Sequence, residues 1–280
     1  MEKLEVKYRT WYKAIPPKRI KLKVPGWAGD SHGHSDGDKP QPWHCTPFVD
    51  GSTYGLELLY PFESECCVRR ENGVVIFDGD FTGEAPWASE QEGQAPPPFS
   101  SFAPGHYGFT SSLDLMPPEG YCMRVEPHPR FFTDETGTVP IAVPGHIQRW
   151  WSRIFFVAFK SPSEGQEHIF RYNEPYAQIL IVPEKVTYDL QEMSNEEKTK
   201  RSVREQTIAN NAQYIAKNIW NDHVDHKFDD KYKQLKSAYQ KKGDQGVEDA
   251  LKTATKKEVD NRRNATHIKK RFFKNIRKSK

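Results

Sequence analysis

Residues 144–183 hold the runs that most limit how this chain can fold. Residues 154–159 (Ile-Phe-Phe-Val-Ala-Phe) and 178–182 (Gln-Ile-Leu-Ile-Val) are short, β-branched and aromatic, and Pro, Gly, Asn or Ser bounds each of them. Runs of that length and composition read as buried strands, because a helix would need roughly ten or more residues with a 3.6-residue period. Between them residues 162–165 make a turn, and 168–172 alternate in polarity as a third short strand. The stretch specifies a compact β core.

The period of two recurs upstream. Leu4, Val6 and Tyr8 precede Trp11 and Tyr12, and Ile20, Leu22 and Val24 follow Pro16-Pro17. Tyr54, Leu56, Leu58 and Tyr60 alternate, with Glu57 on the other face. Residues 66–70 and 74–77 flank Glu71-Asn72-Gly73, and Asn-Gly is a strong hairpin signal. Residues 26–42, rich in Gly, Asp, Ser and His, read as a loop. Residues 83–105 contain Pro86, Pro96, Pro97, Pro98 and Pro104 and read as an irregular surface insertion. Residues 106–115 and 121–126 return to strands around Pro117-Pro118-Glu119-Gly120. The expected core includes Phe155, Val157, Phe159, Ile179, Ile181, Leu56, Leu58 and Leu115.

Past Asp189 the pattern changes. Ser194 and Glu197 form a capping box that starts a helix. Ile208, Ala212, Ile215 and Ile219 share one helical face. After a break near Asp222-His223 the period resumes through Val224, Phe228, Tyr232, Leu235 and Tyr239. Residues 243–246 make a turn, and a more polar helical pattern runs from Val247 to about Ile276. Two domains are expected: a β domain over 1–190, and a basic helical tail over 194–280.

Charge divides the same way. Residues 196–280 carry 23 Lys and Arg against 12 Asp and Glu, a net +11, which leaves the rest of the chain at −8. No apolar run approaches the length of a membrane span, and Met1-Glu2-Lys3 opens no signal-peptide apolar segment. Four cysteines in 280 residues are few, and the adjacent Cys66 and Cys67 would face opposite sides of a strand. A reduced protein, cytoplasmic or virion-associated and without a membrane partner, is expected.

Three motifs now carry a resemblance. Met116-Pro117-Pro118-Glu119-Gly120-Tyr121 resembles the Pro-Pro-Gly-Tyr turn of the dUTPase-like (β-clip) family. Gly145-His146-Ile147-Gln148-Arg149-Trp150-Trp151 sits where that family has Gly-x-Ile-Asp-x-x-Tyr. Asn173-Glu174-Pro175-Tyr176-Ala177-Gln178-Ile179-Leu180 sits where it has Gly-Asp-Arg-Ile-Ala-Gln-Leu. With Trp43-His44-Cys45 and Ser52-Thr53-Tyr54-Gly55, the first 190 or so residues also resemble the domain-of-unknown-function 6065 proteins of bacteria and viruses. The resemblance implies a dUTPase-like distorted β-barrel and does not account for the tail; with the helices read from periodicity, a mainly β chain followed by C-terminal α-helices is expected. The resemblance also implies a homo-oligomer, with a trimer favoured.

It does not imply dUTP hydrolysis. Gln148 occupies the position of the water-activating carboxylate, and an amide cannot accept a proton as a general base. Pro129, within Pro127-His128-Pro129-Arg130, replaces the phosphate-contacting Ser. Glu57, His128, Arg130, His146, Gln148 and Gln178 remain candidates to line a cleft. Trp150-Trp151 provides either core plus one exposed face or a ligand platform.

Two further sets have their own chemistry. His32 and His34 alternate on an extended segment and could both reach a Zn²⁺ or Fe²⁺, with His44 or Cys45 closing the shell; the spacing matches no strong finger or protease pattern, which favours a solvated loop. Lys269, Lys270, Arg271, Lys274, Arg277 and Lys278 interleave with Phe272, Phe273 and Ile276. Through 267–280 they suit nucleic acid, an acidic protein surface, or a solvated terminal helix. Two function classes follow: a non-catalytic binding or assembly module, such as a viral accessory or particle protein, and a metal-dependent enzyme acting on a nucleotide or small molecule.

Overall fold

In the computed structural model of the chain the described residues are 3–11, 13–21, 46–81, 84, 98–132, 134, 136–221 and 227–276, with Phe132, Trp220, Phe228 and 265–276 described by backbone alone. The chain divides into two compact units, residues 1–24 with 50–188, and residues 25–49 with 189–280. The elements run β1 (Lys7–Thr10), β2 (Lys18–Arg19), α1 (Thr46–Ser52), β3 (Leu56–Leu59), β4 (Cys66–Glu71), β5 (Val74–Asp78), β6 (Phe99–Ala103), β7 (His106–Thr110), β8 (Leu113–Met116) and β9 (Tyr121–Glu126). They continue through β10 (Gly145–Ile147), β11 (Phe156–Lys160), β12 (Glu167–Phe170), β13 (Pro175–Pro183), α2 (Asn195–Asn210), α3 (Ala212–Ile215), β14 (Ile219–Asn221), β15 (Lys227–Asp229) and α4 (Lys231–Ile276).

The first unit is antiparallel β throughout its paired strands. Its largest sheet has the order β10-β9-β13-β3-β2, and β11-β7-β6, β12-β4-β5 and β1-β8 form smaller sheets. Among the described strands these sheets do not close into the expected barrel. The chain is mainly β with C-terminal helices.

Alternation decides which side of the large sheet is core. Leu58 pairs with Ala177, and Ile179 with both Leu56 and Val125, so these side chains share one face. They join a cluster of rings from the smaller sheets, including Phe99, Tyr107, Phe109, Phe159 and Phe170. Phe99 and Phe170 lie 4.7 Å apart, and Phe109 meets Tyr176 edge-on at 5.1 Å. All eight expected core residues are here, with Leu56 and Ile181 at its partly buried margin.

The Asn72-Gly73 turn forms as the sequence predicts, both residues taking positive φ between β4 and β5. Cys66 is buried and Cys67 half-buried, on opposite sides of β4. Burial pushes both thiols up, that of Cys67 to about 12 with a hydrogen bond to Glu167, so neither is an activated nucleophile.

Two expectations need correction. Residues 99–103 are not irregular: β6 pairs with β7 and buries Phe99, because the nearby prolines flank the strand at 96–98 and 104. Ile219 and Phe228 do not continue the helical period: β14 and β15, which hold them, pair antiparallel. Asp230 closes that pair, accepting from the Lys217 and Asn218 amides at 2.7 and 3.1 Å, and from the Asn218 and Gln234 side chains. Burial alone would raise its pKa; these donors outweigh it and lower it.

In the second unit the Ser194–Glu197 capping box starts α2. Within α4 the backbone breaks at Lys242 and at Gly243, whose φ is +59°, so the turn expected over 243–246 is confined to its first residue and the one before it. Leu235 therefore packs back on Val247 and Leu251, with Ile215 and Ala254.

One buried histidine gives a test of the β core. Tyr107 Oη and His168 Nδ1 lie 2.8 Å apart inside it, and burial lowers the His168 pKa from 6.5 to about 4. The folded state holds this imidazole neutral, so its contribution is intact above pH 6.5 and is lost as pH falls from there towards 4, where the unfolded chain alone binds the proton. The expected loss is about 3 kcal/mol at full titration. Chemical denaturation between pH 7 and 4.5 should show stability falling with acid, with a shallower slope in His168→Gln. An unchanged slope would refute the assignment.

Candidate functional site

The face of the large sheet opposite the core carries a polar row. Glu57 on β3 lies opposite Gln178 on β13, Gln178 lies opposite Glu126 on β9, and Lys18 on β2 flanks Glu57 from the other side. Direct cross-strand partners project to the same face, so four polar side chains stand in line. One step along the ladder, His146 on β10 faces Arg124 on β9. Arg124 in turn hydrogen-bonds Glu126 two residues on.

Glu57 and Gln178 are unexpectedly deep, at 6% and 5% exposure. Gln178 donates from Nε2 to the Tyr54 carbonyl at 2.8 Å. Glu57 faces His128, with Oε2 3.7 Å from Nε2. The Arg130 amide donates to His128 Nδ1 at 3.2 Å, which places the neutral ring's proton on Nε2, towards Glu57. At 3.7 Å this is not a hydrogen bond, and Nε2 has no other partner among the described residues. Burial lowers the His128 pKa, while Glu57 pulls the opposite way. The ring is neutral at pH 7.

Arg130 extends the cluster. Its Nη1 donates to Glu174 Oε2 at 2.8 Å, and the Glu174 carbonyl accepts from the Tyr60 amide at 3.0 Å. The 3₁₀ turn Pro129–Phe132 is thereby tied to the β12–β13 turn.

The structure thus brings Glu57, His128, Arg130 and Gln178 together. His146 is exposed and lies opposite Arg124, and the buried Gln148 Oε1 has no hydrogen-bond partner among the described residues. Lys18, Glu126 and Glu174 were missed. The first two are legible only once strand register is known; Glu174 was hidden as an ordinary turn residue before Pro175.

Trp150 and Trp151 correct another expectation. A tight turn, with the Trp151 amide on Gln148 O and the Arg153 amide on Trp151 O, turns both rings outwards. Trp150 is 70% exposed, and the Arg153 guanidinium sits 5.6 Å from the Trp151 ring centre. Neither indole belongs to the core.

The metal-ligand candidates His32, His34, His44 and Cys45 lie outside the described residues, and among the described residues no group of three or more His, Cys, Asp or Glu is placed to hold a metal ion. Lys269, Lys270, Arg271 and Lys274 lie on the last turns of α4, while Arg277 and Lys278 lie outside the described residues. Among the described residues no helix is long and apolar enough to cross a membrane.

Gly55 holds the edge of the polar row. Its φ is +106°, and a Cβ there would lie 2.5 Å from the Ile179 carbonyl oxygen. Gly55→Ala should destabilise the chain by about 1–3 kcal/mol and shift Tyr54 O away from Gln178. Urea unfolding measures the first effect, and the Gln178 side-chain amide resonances report the second. A neutral substitution would show that the loop relaxes freely.

No family model matches the chain, and neither does any curated protein. Among solved structures, native EIAV dUTPase aligns with 68% of this chain and 98% of its own, at 7% identity and a TM-score of 0.33. The dUTPase from phage phi11 of S. aureus aligns over 68% and 97%, at 10% identity and a TM-score of 0.34. Staphylococcus bacteriophage 80alpha dUTPase with dUPNHPP aligns over 70% and 90%, at 12% identity and a TM-score of 0.32. Similarities this distant carry no activity, ligand or assembly across to this chain.

Proposed function

We propose that this chain is a non-catalytic binding or assembly module, with a dUTPase-like β body and a basic helical region that contacts an acidic partner. The observation that carries it is the separation of charge, net +11 over 196–280 against −8 elsewhere. Helix α4 continues to Ile276, so Lys269, Lys270, Arg271 and Lys274 fall on consecutive helical turns. A basic helix offers several phosphates or carboxylates a charge partner at once. The resemblance to the domain-of-unknown-function 6065 proteins, a viral accessory or particle role, a cytoplasmic or virion-associated place and a homotrimer belong to the same proposal. Gln148 and Pro129 support it, since neither supplies the proton acceptor or hydroxyl that dUTP hydrolysis would use. Exposed indoles such as Trp150 and Trp151 are typical anchors of subunit contacts.

The test compares the full chain with one ending at Thr266, by light scattering and by binding to 20-base-pair DNA. With about six phosphate contacts, full-chain affinity should fall on the order of 10³-fold between about 50 and 200 mM salt, and the shortened chain should lose most of it. Equal or salt-independent binding by the two would remove the polyanion role of the tail. A monomeric mass would remove the assembly role.

A further inference from the structure

The helical unit contains a groove of about 910 Å³ between α2 and the second half of α4. Residues 199, 200, 203, 204 and 207 line it from α2, and 248, 251, 252, 255, 256, 259, 260 and 263 from α4. Spacings of three and four make each set one helix face. The floor is Val203, Leu251 and Val259. Leu251 belongs to the buried cluster beneath, but Val203 is 58% exposed and Val259 39%.

The rim is basic. Lys200, Arg204, Lys252, Lys256 and Arg263 stand against Glu248 and Asp260. Arg204 pairs with Glu248 at 3.6 Å, and Lys200 with Glu196 at 2.7 Å. Lys252, Lys256 and Arg263 have no acidic partner among the described residues.

Helix α2 is itself incompletely supported. None of its sixteen residues is buried. Its far end is held by Ile208 and by Asn211, which donates to Thr207 O at 2.8 Å and Thr255 Oγ1 at 3.2 Å. An isolated helix of about that length is marginal in water without an apolar face to cover.

From these features we infer that the groove docks an acidic amphipathic helix of another protein, its apolar stripe on Val203 and Val259 and its carboxylates on Lys252, Lys256 and Arg263. This rests on the binding-module proposal and names its partner class. The α4 face from 248 to 263 spans roughly 22 Å, which suits a partner helix of about four turns with anchors at i, i+4 and i+7. Nucleic acid fits less well. The groove-lining residues include no aromatic ring to stack on bases, and Glu248 and Asp260 would face the phosphates.

The groove ends at Arg263, so the chain ending at Thr266 keeps every lining residue and separates this inference from the tail test. The probes are two 18-residue helical peptides with one Leu stripe, the polar positions Glu in one and Lys in the other, and a 20-base-pair DNA. Titrated into isotope-labelled full chain and the Thr266 form, the Glu peptide should shift amides of 199–207 and 248–263 in both. Its affinity should exceed that of the Lys peptide at least tenfold. Val203→Glu with Val259→Glu, both at exposed positions, should weaken it at least tenfold with an unchanged circular dichroism spectrum. Lys252→Glu with Lys256→Glu should reverse the peptide preference. Absent groove shifts, equal affinity for the two peptides, or insensitivity to the valine changes would overturn the inference. So would DNA, rather than peptide, shifting the groove amides. Loss of DNA binding in the Thr266 form alone would bear only on the tail.

Discussion

The β unit depends on burying a large number of rings in one place. Tyr60, Phe62, Phe81, Tyr107, Phe109, Phe159, Phe170 and Tyr176 are almost wholly buried, and they come from segments throughout that unit. Rings meeting at about 5–6 Å in tilted and edge-on pairs lock the small sheets against one face of the large one. Each tyrosine brings a hydroxyl that must be accommodated. Tyr60 donates to Ser64 O at 3.1 Å and Tyr107 pairs with His168, whereas the Tyr176 hydroxyl has no partner among the described residues. Burial raises all three phenol pKa values, so all stay neutral.

Once the rings claim one face, strict alternation sends the polar residues of β3, β9 and β13 to the other. Leu58, Ala177 and Ile179 go inward, and Glu57, Gln178 and Glu126 line up opposite them. The polar row is therefore a consequence of the core, fixed by register rather than by loop chemistry. Its depth is less easily explained by packing alone. Glu57 is 6% exposed, and its Oε2 lies 3.7 Å from His128 Nε2, beyond hydrogen-bond distance.

Strand existence in the β unit was largely legible because period-2 runs were punctuated by Pro and Gly, as at Asn72-Gly73. What failed had identifiable causes. Phe99 was masked by Pro96-Pro97-Pro98, although a strand can begin directly after prolines. Phe228 continued the spacing to Tyr232 and Leu235, but Asp230 gathers the Lys217, Asn218 and Gln234 donors and ends that period in an antiparallel strand pair. Composition reads Trp150-Trp151 as core plus one exposed face or as a ligand platform, and a tight turn leaves both exposed. Within the site, single residues such as Glu57 and Gln178 could be named from sequence. Their partners Lys18, Glu126 and Glu174 could not, because cross-strand register and the Arg130–Glu174 pair join residues tens of positions apart.

Both units satisfy some charge internally, as Asp230 does among its donors in the helical unit. The β unit internalises it: Glu57, His128, Arg130 and Glu174 sit within one cluster, and Glu84 is held by the Glu63 and Ser64 amides, the Ser64 hydroxyl and Lys13. Burial would raise the Glu84 pKa, yet these donors lower it, so the charge is already satisfied within the chain. The helical unit also leaves charge on its surface: Lys252, Lys256 and Arg263 edge an apolar floor that α2 and α4 leave open. Charge satisfied inside a fold mainly specifies that fold, whereas unmatched surface charge beside exposed valine leaves free energy to be gained from a partner of opposite sign. On that physical ground the proposed contact with another molecule is placed on the helical unit rather than at the Gly145–Trp151 motif.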